Sequence, residues 1–120
     1  MQKLEGKPDI RLRCYKFSLD ILKLVDTYPQ KRSAWVISDQ LIRAATSIGA
    51  NLVEGKAASS RLEFKKFYEI ALKSANETKY WLALSRDAKL AKRENFEKLY
   101  QEATEIANML ASGVIKLKKK

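Results

Sequence analysis

"SRLEFKKFYEIALKSANETKYWLALSRDAK", residues 60–89, decides how the rest of the chain reads. Phe64, Phe67, Ala71, Ser74, Thr78, Trp81, Ser85 and Ala88 recur at unbroken spacings of three and four, which places them on one face of an α-helix. Ser60 opens the run and Glu63 follows three residues later, the pattern of a capping box in which each residue satisfies a backbone N–H of the other. The seam alternates aromatic rings with Ala and Ser, so a neighbouring helix can set large groups over small ones at native packing density. Such a helix cannot bury its seam alone, and the same rhythm recurs on both sides of it.

Upstream, Ile10, Cys14, Phe17, Ile21, Leu24 and Tyr28 form a seam that ends where Pro29 forbids continuation. After the loop "YPQKRS" (residues 28–33), Ser33 reads as an N-cap, and Ala34, Ile37, Leu41, Ala45, Ile48, Leu52 and Gly55 carry a second seam. Downstream, Phe96, Leu99, Ala103, Ile106, Leu110, Gly113 and Leu117 carry a fourth, and the final "KLKKK" is a charge run expected to fray. No alternating pattern or two-residue hairpin signal competes. The pattern predicts an all-α fold, an antiparallel up-down-up-down four-helix bundle in one domain over residues 1–120, with helices at about 9–28, 34–56, 60–89 and 92–117.

The first helix carries a second apolar line, Leu12, Tyr15, Leu19 and Leu22, on nearly the opposite side from its seam. A bundle this small buries only one face per helix, so the second line predicts a homo-oligomer. Cys14 is the only cysteine, which excludes an intrachain disulfide, and its place on the seam reads as core. The chain has no histidine, hence no imidazole base, metal ligand or nucleophile pair. With no cofactor fingerprint either, no catalytic residue, metal site or cofactor is expected, and the chain reads as no enzyme. "MQKLEGKPDIRLRCY" (residues 1–15) lacks a signal-peptide run, and no stretch approaches the ~20 apolar residues of a membrane span, so the cytoplasm is the default location and no membrane partner is expected.

Within the second helix, "SIGANLVEGKAASS" (residues 47–60) poses a question of its own. Gly49 in a helix interior costs about 1 kcal/mol relative to Ala, which close approach of another backbone would offset. Gln40, Ala44, Ser47, Asn51 and Glu54 form a line that is polar or small throughout. Glu54 lies near the helix C-terminus, where a carboxylate is disfavoured, so it should have a specific partner such as an Arg or a loop N–H. Asp39 and Arg43 stand four apart and are positioned to pair. The reading of Arg43, Ser47, Gly49, Asn51, Glu54 and Gly55 is structural: they lock a turn or a subunit contact.

"QLIRAATSIGANLVEG" (residues 40–55) followed by "EFKKFYEIALKSANE" (residues 63–77) resembles the four-helix-bundle proteins encoded by intervening sequences within bacterial 23S ribosomal RNA genes. That family is related to the accessory variability proteins of diversity-generating retroelements. The pattern matches at Gln40, Arg43, Ala44, Ser47, Ile48, Asn51, Glu54 and Gly55, then at Glu63, Phe64, Ala71, Ser74 and Glu77. The resemblance implies a ring-like homo-pentamer without known catalytic activity and, for the retroelement relatives, binding to nucleic acid and to a reverse transcriptase. The sequence departs from the pattern at Ile42, where paired arginines are frequent, and at Ala57, Ala58 and Ser59, where a more polar segment is.

Twenty-four Lys and Arg face 14 Asp and Glu, a net charge of +10 that favours a polyanionic partner, RNA or DNA. An antiparallel bundle brings the start of helix one (Arg11, Arg13, Lys16), the junction of helices two and three (Lys56, Arg61, Lys65, Lys66) and the end of helix four (Lys116, Lys118, Lys119, Lys120) to one pole. These are the candidate nucleic-acid ligands, contacting mainly phosphates. The alternative is a protein-interaction module with Trp35 and Tyr100 as anchors and charge incidental.

Overall fold

The structure, a computed structural model, describes residues 9–119. Within them lie four helices and no strand: α1 (Ile10–Val25), α2 (Arg32–Lys56), α3 (Arg61–Asp87) and α4 (Arg93–Lys118). Each helix packs on the next in sequence, α4 closes back on α1, and the diagonal pairs do not meet. The result is an antiparallel four-helix bundle, elongated to 47 × 27 × 20 Å. No helix among the described residues is long and apolar enough to cross a membrane.

The three-four seams supply most of the core, but on α3 the buried face is rotated toward Ala75 and Leu82, which lie off the expected seam, while Phe64, Phe67 and Trp81 are half-buried and Ala88 is exposed. Phe17, Ile21, Leu41, Ile48, Leu82, Phe96, Ile106 and Leu110 are fully buried, and Ala34, Ala44, Ala45, Ala71, Ala75 and Ala103 supply the small positions between them. Where spacing is tightest, glycine replaces alanine. A Cβ on Gly49 would stand 3.3 Å from Cys14 Cβ, and one on Gly55 would stand 3.1 Å from Phe67 Cβ, so α2 approaches α1 at one glycine and α3 at the other.

Helix ends depart from the sequence expectation in instructive ways. α1 stops at Val25 because Thr27 and Tyr28 turn back on Leu24 and Val25, their N–H groups donating to those carbonyls at 3.0 Å. Tyr28 stays buried beyond the helix and packs on Phe96 with ring centroids 6.2 Å apart. α2 starts two residues earlier than expected. Lys31, with extended backbone and no capping side chain, holds the N-cap position, and Ser33 lies inside the first turn. At α3 the Glu63 N–H donates to Ser60 Oγ at 3.1 Å, but the Glu63 carboxylate reaches back one residue further, accepting from the Ser59 N–H at 2.8 Å. The basic tail, expected to fray, is helical through Lys118, while Lys120 lies outside the described residues.

The α3–α4 turn rests on Lys89, a residue type that does not mark turns. Lys89 adopts φ 59°, the left-handed region that glycine favours. Its N–H donates to Arg86 O at 3.0 Å and the Leu90 N–H donates to Ser85 O at 3.1 Å, a Schellman pair with Leu90 tucked into the core. Lys89→Gly should therefore stabilise the protein by roughly 0.5–1 kcal/mol, the left-handed strain relieved less the added unfolded-state entropy. Urea unfolding checks it, and a loss of stability would show that the Lys89 side chain does more than tolerate its backbone.

Candidate nucleic-acid interface

The start of α1, the α2–α3 junction and the end of α4 come together at one pole. Ile10 and Arg11 from α1, Leu52 and Lys56 from α2, and Phe64 and Tyr68 from α3 line a single pocket of about 140 Å³. Arg61 at the start of α3 donates from Nη2 to the carbonyl of Lys116 in the last turn of α4, 3.4 Å away. One turn back, Gly113 lies under the Tyr68 ring, where a Cβ would come within 2.6 Å of Cε2. Phe64 and Tyr68 stand one above the other with ring centroids 5.0 Å apart and planes tilted by 47°.

Lys56, Arg61, Lys66, Lys116, Lys118 and Lys119 are exposed at this pole and Lys65 is half-buried. Among the described residues, no ion pair engages any of the seven. Lys56, Lys116 and Lys118 also sit in the last turns of their helices, where the macrodipole favours a cation without consuming its charge. Unpaired ammonium groups held by rigid helices can take phosphate oxygens, and nothing intramolecular competes for them.

Helix one contributes less than its sequence suggests. Arg11 donates from Nη2 and Nε to Asp9 at 3.1 and 3.3 Å, which holds the Asp9 carboxyl below the usual carboxylate range. Arg13 turns away to the α1–α4 seam. Its guanidinium forks onto Glu102, Nε and Nη2 standing 2.7 and 2.8 Å from the two carboxylate oxygens, and also meets Glu105. These partners raise the Arg13 pKa, Glu102 most strongly, so its charge is spent inside the protomer. Lys16 lies on the same seam, lining a groove with Asp20, Lys98, Glu102 and Glu105. Sequence reasoning missed Glu102 and Glu105, which signal themselves only as an i, i+3 carboxylate pair whose register against α1 no local pattern fixes.

The polar line of α2 faces the outer edge of α3. Ser74 Oγ donates to Ser47 Oγ at 2.9 Å, and Asn51 Nδ2 donates to the Ser47 carbonyl and hydroxyl at 2.8 and 2.9 Å. Arg43 pairs with Glu77 across the two helices and holds Gln40 Oε1 at 2.9 Å, leaving Asp39 aside. Trp81 Nε1 donates to the same Glu77 carboxylate at 2.9 Å. The indole bond first and the guanidinium second keep the Glu77 carboxyl below its ordinary value. Glu54 is exposed, and among the described residues its carboxylate has no partner, contrary to expectation. The Cys14 thiol is sealed in the core, where burial pushes its pKa up to about 12. Trp35 and Tyr100 are exposed in the protomer.

A family model described as 23S rRNA-intervening sequence protein matches residues 7–112. No curated protein matches the sequence. Among solved structures, the chain is similar to a protein of unknown function from the S23 ribosomal protein family of Bacteroides thetaiotaomicron. The two share 36% identity over 88% of this chain and 98% of that one, with a TM-score of 0.82.

Removing the shared carboxylate tests the α2–α3 edge. Glu77→Ala should cost about 1 kcal/mol at neutral pH, a half-exposed ion pair plus one charge-assisted hydrogen bond. Because the folded carboxyl titrates below its unfolded value of 4.5, the contribution is present above that pH and fades as the pH falls through the lower folded value. Unfolding of wild type and variant across that window should therefore converge on acidification, and a gap that persists in acid would refute the charge-based account.

Proposed function

The chain belongs to the family of 23S rRNA-intervening sequence proteins, and from that premise we propose that it acts as a non-enzymatic, self-associating nucleic-acid-binding protein. The observation that carries this reading is the pole: cations from α2, α3 and α4 converge there and no described carboxylate neutralises them, whereas the arginine at the α1–α4 seam is neutralised twice. Contacts are to phosphates, so affinity is sequence-tolerant and salt-dependent.

Self-association is supported by the outer face of α1 and α2. Tyr15, Leu19 and Leu22 remain 61%, 43% and 39% exposed, and Val53 on α2 remains 52% exposed. Gly49 lies against Cys14 and Tyr15, so the antiparallel register sets Ile42 near Leu22 and Val53 near Arg11, continuing one apolar strip along the α1–α2 groove. A second copy covering this strip repeats the basic pole around a ring, and the pentamer implied by the resemblance gives the size to look for. In a ring, weak single-pole contacts act together on one strand.

A second reading has one observation in its favour. At the opposite pole Trp35 and Val36 of α2 and Tyr80 and Leu84 of α3 are exposed together, a surface suited to a protein partner.

Light scattering and anisotropy with mixed RNA and DNA fragments test the main reading. Binding should weaken by at least about a hundred-fold between ~50 and ~200 mM salt, and Lys65→Glu with Lys66→Glu should abolish it without unfolding the protein. Salt-independent binding, or none, favours the protein-partner reading. Separately, Leu19→Glu with Leu22→Glu should reduce the particle to a monomer that stays folded. An unchanged oligomer would place the subunit contact elsewhere.

A further inference from the structure

We propose that the pocket at the basic pole receives a single unpaired nucleobase, so that the protein discriminates single strands from duplexes. The inference rests on the reading of that pole as a nucleic-acid surface and adds what the surface recognises. The pocket has two chemically distinct zones. Its floor is Ile10, Leu52 and the Phe64–Tyr68 pair, and its rim carries Arg11 and Lys56.

A phosphate has little reason to leave the rim for that floor, because an anion loses its hydration there and finds no donor except the Tyr68 hydroxyl. A nucleobase has the opposite preference. Its flat faces stack on aromatic rings with little regard to sequence, while its own phosphate stays outside within reach of Lys56, the rim cation that no carboxylate engages among the described residues. At about 140 Å³ the pocket is well below the 300–1,000 Å³ usual for drug-sized ligands, which suits one ring system and excludes a base pair. In a duplex the bases are already stacked and paired, so only an unpaired strand, loop or bulge can offer one.

Charge complementarity selects nucleic acid over an uncharged aromatic group: Lys56 lines the pocket and Arg61 lies on the Phe64–Tyr68 side of α3, and neither is in an ion pair among the described residues. Gly113 is what gives the pocket one of its walls. Any side chain there would meet the Tyr68 ring, a Cβ coming within 2.6 Å of Cε2, and glycine leaves the ring its place beside Phe64.

The test compares three labelled ligands of equal phosphate count by fluorescence anisotropy at several salt concentrations: a short single-stranded RNA, the same strand built with abasic riboses, and an RNA duplex. The intact strand should bind roughly ten-fold tighter than the abasic strand and the duplex, with the same salt slope for the two single strands, because stacking and phosphate contacts are separate contributions. Phe64→Leu, which keeps an apolar floor but removes the ring face, should bring the intact strand down to the abasic level. Equal affinity of intact and abasic strands overturns the proposal while leaving the phosphate-binding pole standing. Failure of every ligand to bind overturns both. The ligand comparison on the unaltered protein stands whether or not the variant folds.

Discussion

Everything in this bundle depends on how closely α2 can approach its two neighbours. α2 is the helix that touches α1 on one side and α3 on the other, and at each contact the side chain that would hold the helices apart has been reduced to hydrogen. Gly49 admits α1 and Gly55 admits α3, with Ala44 and Ala45 buried about one turn before Gly49. The helix-propensity penalty of the interior Gly49 is offset by backbone proximity, and dispersion falls off too steeply with distance for a wider spacing to recover what is lost. Phe17, Ile48 and Leu82 then fill the centre, and polar side chains are displaced to the α2–α3 edge, where Ser47, Asn51 and Ser74 bond one another.

Close spacing also fixes the register that builds the two ends. With Gly49 against Cys14 and Gly55 against Phe67, the first turns of α1 and α3 must meet the last turn of α2, and the Arg61 contact with the Lys116 carbonyl brings α4 to the same place. The basic pole is thus a consequence of helix register and not of any local motif. Its opposite number, at the start of α2 and the end of α3, exposes Trp35, Val36, Tyr80 and Leu84 but also carries Lys31, Arg32, Arg86, Lys89, Lys92 and Arg93, so the two ends differ in their apolar groups and not in the sign of their charge.

Helix number, order and buried faces were legible in the sequence because a three-four rhythm reports directly on what a helix buries. Features decided by geometry across helices were not. Arg43 had a neighbour of opposite charge one turn away in Asp39, yet Glu77 on α3 takes it, because the Trp81 indole already orients that carboxylate. Arg13 read as one of several cations near the N-terminus until α4 brought Glu102 and Glu105 alongside. Lys89 gave no sign of its left-handed backbone, since the usual marker is glycine and the need is set by where Leu90 must bury. Local capping was partly readable: Ser60 caps α3, but nothing marked Lys31 over Ser33 as the start of α2.

The sealed position of Cys14 bears on how the protein senses its surroundings. Its thiol does not ionise until about pH 12 and the chain contains no histidine, so neither of the side-chain types that most often titrate near neutrality does so here. The proposed binding of a polyanion would then respond to added potassium or magnesium far more than to mild acidification.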